Sequence, residues 1–385
     1  MTDKYRANFL NRFVKIPEDI LDKLNILYPN EYENVRHCIG LIVANLLDFG
    51  EVAYSRNKNF YTKNRTKHYT YANMLRALEI AIADGYAVSL ETGYYNQTLK
   101  RGKSSTLGAG PQLSEFCLEE KLELDVALLP LLVVDERPVF EFDDLNLVKE
   151  RINIESIESR NFASRLERIY DEALKLNKGY WNKMVLDTRY IGSKQKCFNR
   201  VGLTRLFKKG LMGRWFQKGE MSYQQLSGEE RAKLRINGER VTEIDYSAMH
   251  PHILYAWESK QCPSDFYEGI MKECGCNRFI AKSISLIAIN ADSYNSLVGA
   301  INNNKLETER ANRNRAVPEP VLYCELKKYG LTAKEVVEAI KIAHPAIGKY
   351  IYSASANKLM LVESDIMTSV LLKLMRLGIN ALACT

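Results

Sequence analysis

No apolar run in this 385-residue chain reaches membrane-spanning length. The longest candidates, Val126 to Val134 and Ile284 to Ile289, fall well short of the roughly 20 residues a spanning helix needs, which speaks against a helical membrane protein. The N-terminus has no apolar signal-peptide core, so the expected location is the cytoplasm, with no membrane partner. Eight cysteines are scattered without a framework, which excludes a disulfide scaffold and fits reduced thiols. Only Cys274 and Cys276 are close, and no second Cys/His pair at zinc spacing accompanies them. No internal repeat or low-complexity segment stands out, which argues against an array architecture.

What remains is an ordinary globular composition, 46% hydrophobic, in a chain long enough for two or three domains. Its net charge of +7 matters less than how that charge is distributed. Arg56 to Lys103 holds nine Lys/Arg against three Asp/Glu, and Lys183 to Arg240 holds fourteen against five. Glu115 to Glu172 reverses the balance, with sixteen acidic residues against seven basic ones. Two basic blocks around an acidic connector point to two surfaces for a polyanion.

Residues 1–17 read as a polar, basic arm. From Pro17 to Phe49 the apolar spacing predicts two helices broken at Pro29-Asn30. A short strand is expected over Glu51–Tyr54, then a helix from Tyr71 to Asp84 closed by Gly85. Tyr86–Thr92 reads as a strand, and Gly93–Ser105 as a basic turn. Helix, strand, helix, helix and a hairpin with a basic tip is the order of a winged helix over residues 18–110. In that reading Arg76, with Tyr69, Tyr71 and Asn73, lies near the start of the helix that enters a DNA groove. Lys100, Arg101 and Lys103 form the wing that touches phosphates. Residues 111–199 are a mixed acidic connector with one clear helix, from Phe162 to Leu176.

Residues 200–385 read as a separate unit. Val201 to Lys218 interleaves Arg205, Lys208, Lys209 and Arg214 with Phe207, Trp215 and Phe216, a mixture suited to a nucleic-acid backbone and its bases. Next comes Val241-Thr242-Glu243-Ile244-Asp245-Tyr246, read as a strand with Glu243 and Asp245 on one face. Ser247 is expected to cap a helix carrying Met249, Ile253, Ala256 and Trp257. A carboxylate at a strand-to-helix junction suits a divalent metal and a phosphate together. Asn277 is expected to cap a second helix, on which Arg278 and Lys282 share a face continued by Leu286. Ser355 to Leu377 is a long amphipathic helix ended by Gly378.

Four of these stretches resemble family A (DNA polymerase I-like) polymerases. Asp245-Tyr246-Ser247 before an apolar helix is similar to the first metal-binding motif, and its spacing to Met249, His250 and Pro251 also resembles the family B counterpart. Gly213-Arg214 is similar to the Gly-Arg of the template-contacting segment. Arg278-x-x-x-Lys282 resembles the fingers helix that holds the incoming triphosphate, although the family's aromatic and its Tyr-Gly are replaced by Leu286 and Asn290-Ala291. Glu363-Ser364-Asp365-Ile366 resembles the helix leading into the last catalytic strand, which Leu377–Thr385 would begin. There the family continues with His-Asp, its second metal-binding carboxylate, whereas the sequence stops at Thr385.

The resemblance implies an α+β chain: a winged helix, then an incomplete polymerase-type palm, an antiparallel sheet with helices, and helical fingers. It implies a template-directed DNA polymerase working with two Mg²⁺ (or Mn²⁺) ions, from a plasmid, phage or mobile replication system. Asp245 would be the catalytic metal ligand, with the Tyr246 carbonyl beside it and Glu243 as a weaker ligand. Arg278 and Lys282 would clamp the phosphates, and His250 would screen against a ribose 2′-hydroxyl. Template-primer DNA and deoxynucleoside triphosphates are the expected partners, and a continuation of the chain or a second chain would supply the missing carboxylate. Two other readings stay open: a non-catalytic winged-helix replication initiator with a degenerate palm, and an RNA polymerase or primase on the same palm.

Overall fold

Short helices and small open sheets build a mixed α+β chain, here a computed structural model. It describes residues 8–10, 12–63, 68–96, 101–118, 122, 129–139, 149, 157–184, 186–187, 202–217, 222–313 and 320–384. The contacts divide the chain into two units. One comprises residues 1–210, 214–243 and 368–385, and the other residues 211–213 and 244–367.

In the first unit, α1 (Glu18–Leu27) and α2 (Glu33–Phe49) are the two helices expected around Pro29-Asn30. β2 (Glu51–Tyr54) follows, then α3 (Lys58–Lys63) and α4 (Tyr71–Ala83). Thr70 caps α4 by accepting from the Asn73 amide, and Gly85 leaves it at φ +76°, a conformation glycine adopts without a Cβ penalty. β3 (Ala87–Glu91) and β6 (Ser105–Ala109) enclose a ribbon of β4 (Tyr94–Asn96) and β5 (Arg101–Lys103). The sheet order is β1-β2-β6-β3, with β1 (Asn8–Phe9) parallel to β2 and the other pairs antiparallel. One core under this sheet joins Leu24, Cys38, Ile42, Val52, Met74, Ala77 and Leu107.

The rest of this unit ties the acidic connector to the stretch after residue 200. β7 (Leu132–Val134) pairs with β8 (Arg137–Val139) and, in parallel, with β10 (Leu203–Lys208), and β11 (Leu211–Gln217) closes the order β11-β10-β7-β8. The boundary expected between residues 199 and 200 therefore runs through a shared sheet. On α5 (Ile157–Lys183), buried Asn177 accepts from the Leu203 amide (2.7 Å) and donates to the Leu203 carbonyl (2.9 Å), standing in for a strand partner. The short helix α6 (Gly228–Arg231) precedes β12 (Arg235–Ile236) and β13 (Glu239–Arg240), which join β9 (Leu186–Asp187) in a third sheet of order β13-β12-β9.

The second unit is helical. α7 (Met249–Trp257), α8 (Phe266–Cys274), α9 (Arg278–Asn290), α10 (Tyr294–Asn312), α11 (Leu322–Lys328) and α12 (Ala333–Ala343) surround one apolar core. α9 buries Ile280, Ala281, Ile284, Ser285 and Ala288 at helical spacing. The chain at 352–355 crosses its C-terminus and satisfies its last carbonyls, with Tyr352 donating to Ala288 (2.8 Å) and Ala354 to Ala291 (3.0 Å). α13 (Ala356–Arg376) starts in this unit and ends in the other. Among the described residues, no helix is long and apolar enough to cross a membrane.

Candidate functional site

The stretch carrying Asp245 is not a strand. A two-residue turn at Asn237-Gly238, with φ of 53° and 84°, folds β12 onto β13, and the ladder ends at Arg240. Residues 241–246 have no regular structure, and Ile244 and Tyr246 are 83% and 48% exposed. Without a ladder, alternation sets no common face, so the expected pairing of Glu243 with Asp245 is corrected. Glu243 grips Arg231 with both oxygens, Nε to Oε2 at 2.9 Å and Nη2 to Oε1 at 2.7 Å. That fork raises the Arg231 guanidinium pKa and engages the carboxylate expected as a second metal ligand.

Ser247 does not cap α7 either. Ala248 takes that position in the left-handed region (φ 51°, ψ 42°), with no side-chain cap. His250 faces inward at 9% exposure, its Nε2 3.4 Å from Glu363 Oε2 and its Nδ1 buried with no hydrogen-bond partner among the described residues.

α9 follows the sequence reading closely. Asn277 caps it by accepting from the Ile280 amide (2.9 Å), and Arg278, Lys282 and Leu286 form an exposed stripe opposite the buried one. Arg278 donates from Nη1 to Asp265 Oδ2 at 2.6 Å, and its guanidinium lies 5.0 Å from the centre of the Tyr267 ring. Asp265 caps α8 with its other oxygen, accepting from the Tyr267 amide at 3.0 Å. The Arg278 bond holds the Asp265 carboxyl below the usual range. Burial raises the Tyr267 phenol pKa first; Arg278 opposes this, while the Asp265 and Asp245 charges add to it. Asp245 and Arg278 therefore act electrostatically on the same phenol. Among the described residues Asp245 has no hydrogen-bond or ion-pair partner, and Lys282 has no salt bridge.

Asp265 and Tyr267 were not singled out in the sequence. Asp265 before Phe266-Tyr267 does carry an N-cap signal, but its pairing with Arg278 depends on how α8 meets α9. Among the described residues no group of three or more His, Cys, Asp or Glu could hold a metal. An exposed carboxylate with no counter-ion suits a magnesium that draws its other ligands from water and substrate phosphates. Asp245, the expected ligand, belongs to no such group of three among the described residues.

The expected nucleic-acid contacts divide. Arg205 is wholly buried, its guanidinium 4.9 Å from the Phe207 ring centre and 5.5 Å from that of Trp215, so it is an interior cation and not a surface ligand. Phe207 and Trp215 are likewise core, and Trp215 donates to Thr368 Oγ1 at 3.0 Å. Arg214 is half-buried on β11. Arg76 is exposed on α4 but held by Glu31, with Nε at 3.1 Å and Nη2 at 2.5 Å from Oε1, which raises the guanidinium pKa. On the ribbon, Lys103 is the register partner of Tyr94 and Arg101 that of Asn96, while Lys100 lies outside the described residues.

The strand expected from Leu377 onward is also absent among the described residues. Gly378 ends the helical region at φ +75°, and residues 379–384 are irregular. The Ala383 carbonyl instead accepts from the Tyr223 hydroxyl (2.5 Å) and from Gln224 Nε2 (3.1 Å). Compared with protein-family models, with curated proteins and with solved structures, the chain finds no match.

Proposed function

We propose that this chain belongs to a DNA-dependent nucleotidyl-transfer system, its second unit binding a deoxynucleoside triphosphate and its N-terminal unit holding duplex DNA. One observation carries the reading: Arg278 and Lys282 form an exposed stripe on α9, Arg278 standing 5.0 Å from the centre of the Tyr267 ring, in the unit that also holds the exposed Asp245 carboxylate. Two cations one helical turn apart repel each other unless an anion lies between them, and a triphosphate is such an anion. Arg278 and Lys282 take its phosphate oxygens. Asp245, with the Tyr246 carbonyl, holds the Mg²⁺ or Mn²⁺ that accompanies the phosphates. When bound, such an ion would supply neutralisation of phosphate charge and a lowered pKa for an attacking hydroxyl. His250, in the first turn of α7, is 9% exposed and turned toward Glu363, which counts against the expected screening of a ribose 2′-hydroxyl by this side chain.

The N-terminal unit supports DNA binding by its topology. Helix–strand–helix–helix–strand–ribbon–strand with the order β2-β6-β3 is consistent with the winged helix expected there. A second reading, a non-catalytic replication initiator, is favoured by the exposed, irregular course of residues 241–246, where a polymerase palm would present a strand.

Titration of the full chain with fluorescent deoxynucleoside and ribonucleoside triphosphates in Mg²⁺, alongside primer extension, separates the readings. Lys282→Ala is expected to weaken deoxynucleotide binding about ten-fold, the loss of one charge-assisted phosphate contact. Asp245→Asn is expected to remove the Mg²⁺ dependence of that binding. Duplex binding with no triphosphate affinity in the unaltered chain would assign the initiator role, and a preference for ribonucleotides would assign an RNA polymerase or primase.

A further inference from the structure

We infer that Asp265 is a positioning residue that occupies Arg278 as a carboxylate stand-in until the phosphate oxygens of a nucleoside triphosphate displace it. The inference rests on the triphosphate reading of α9. Asp265 divides its oxygens between two tasks: Oδ1 accepts from the Tyr267 amide and caps α8, and Oδ2 accepts from Arg278 Nη1. The cap anchors the carboxylate to the backbone, so in an exchange Arg278 is the partner that moves. Tyr267 lies beneath the guanidinium and limits its swing. Both side chains are open to a ligand, 51% exposed for Arg278 and 38% for Asp265.

Exposed ion pairs of this kind are weak and screened by salt. A triphosphate offers more negative charge and several oxygens to the same planar fork, and wins the exchange. The carboxylate thus keeps the guanidinium extended between α8 and α9, and its competition weakens every triphosphate equally. Lys282 has no such partner among the described residues, so the two cations of the stripe play unequal parts: Lys282 is always available and Arg278 is released by the ligand.

Asp265→Asn tests this in the full chain, since asparagine caps a helix as well as aspartate does but removes the charge. Binding of Mg²⁺-deoxynucleoside triphosphate is measured by fluorescence at low and at moderate salt for the unaltered chain, Asp265→Asn, Arg278→Ala, Lys282→Ala and the Asp265→Asn/Arg278→Ala double variant. The expected result is two- to five-fold tighter binding for Asp265→Asn at low salt, a gap that narrows as salt rises, and a double variant indistinguishable from Arg278→Ala. Unchanged or weaker binding in Asp265→Asn while Arg278→Ala weakens it would overturn the stand-in role and leave the clamp intact. No effect of either Arg278→Ala or Lys282→Ala would remove the clamp itself, and the stand-in with it. Thermal unfolding checks that the Asp265→Asn cap holds; a lowered transition together with tighter binding still supports the exchange, because a damaged helix start would loosen Arg278 and weaken the ligand.

Discussion

Replacing His344 by alanine should destabilise the helical unit by about 3–5 kcal/mol, and the loss should depend on pH. The imidazole is 1% exposed. Its Nε2 lies 2.8 Å from the Phe266 carbonyl and its Nδ1 2.8 Å from the Tyr255 hydroxyl. These partners fix the neutral tautomer, with Nε2–H donating to the carbonyl and Nδ1 accepting from the phenol. The ring also stacks on Phe266, with centroids 4.0 Å apart and planes 14° from parallel. Alanine leaves the buried Tyr255 hydroxyl without its partner, at a cost of about 1–3 kcal/mol; the Phe266 carbonyl loses a second bond but keeps its helical one in α8. The lost stack adds about 0.5–1.5 kcal/mol, and the cavity left by the ring brings the total to the stated range. Burial pushes the His344 pKa below its ordinary 6.5. The unfolded chain therefore takes up a proton that the folded chain resists, and this contribution, complete above pH 6.5, is lost as the pH falls through 6.5 toward the folded pKa. Urea unfolding followed by tryptophan fluorescence and circular dichroism at pH 8 and pH 5.5 measures both effects. An unaltered midpoint in His344→Ala would refute the network argument. A variant that loses as much stability on acidification as the unaltered chain would refute the titration argument.

Two further outcomes concern the N-terminal unit. Gly110→Ala should cost about 1–3 kcal/mol, read as a lower thermal transition, because its Cβ would stand 2.1 Å from the Gly85 carbonyl oxygen, a backbone atom that cannot swing aside. Arg76→Ala should change duplex affinity less than two-fold, since Glu31 already holds the guanidinium. Arg101→Ala with Lys103→Ala on the ribbon should weaken binding several-fold and lower the salt slope by about one per lost phosphate contact; equal effects from the helix and the ribbon would reverse that assignment.

Local signals were enough for several of the helices, though they announced none of α3, α8, α10, α11 and α12. Apolar spacing placed α1, α2, α4 and α9, Asn277 announced its own cap, and Gly85 and Gly378 marked helix ends that both fall at positive φ. Each of these depends on residues within one or two turns of one another, so the sequence contains the whole interaction. The exposed Arg278–Lys282–Leu286 stripe was legible for the same reason. Where a partner from elsewhere in the chain was needed, the local reading failed. Val241–Tyr246 has strand composition but no neighbouring strand among the described residues, so alternation never became a face. Arg205 lies in a basic, aromatic stretch that reads as surface, yet β10 turns it inward between Phe207 and Trp215. Glu243 looked like a metal ligand until Arg231 engaged both of its oxygens. By itself the sequence determined where α1, α2, α4 and α9 lie and which cations share a helix face, because those contacts span a few residues. Only the tertiary structure decided that Asp265 holds Arg278 and that Asp245 acts on the same tyrosine, because electrostatics depends on distance through space and not along the chain.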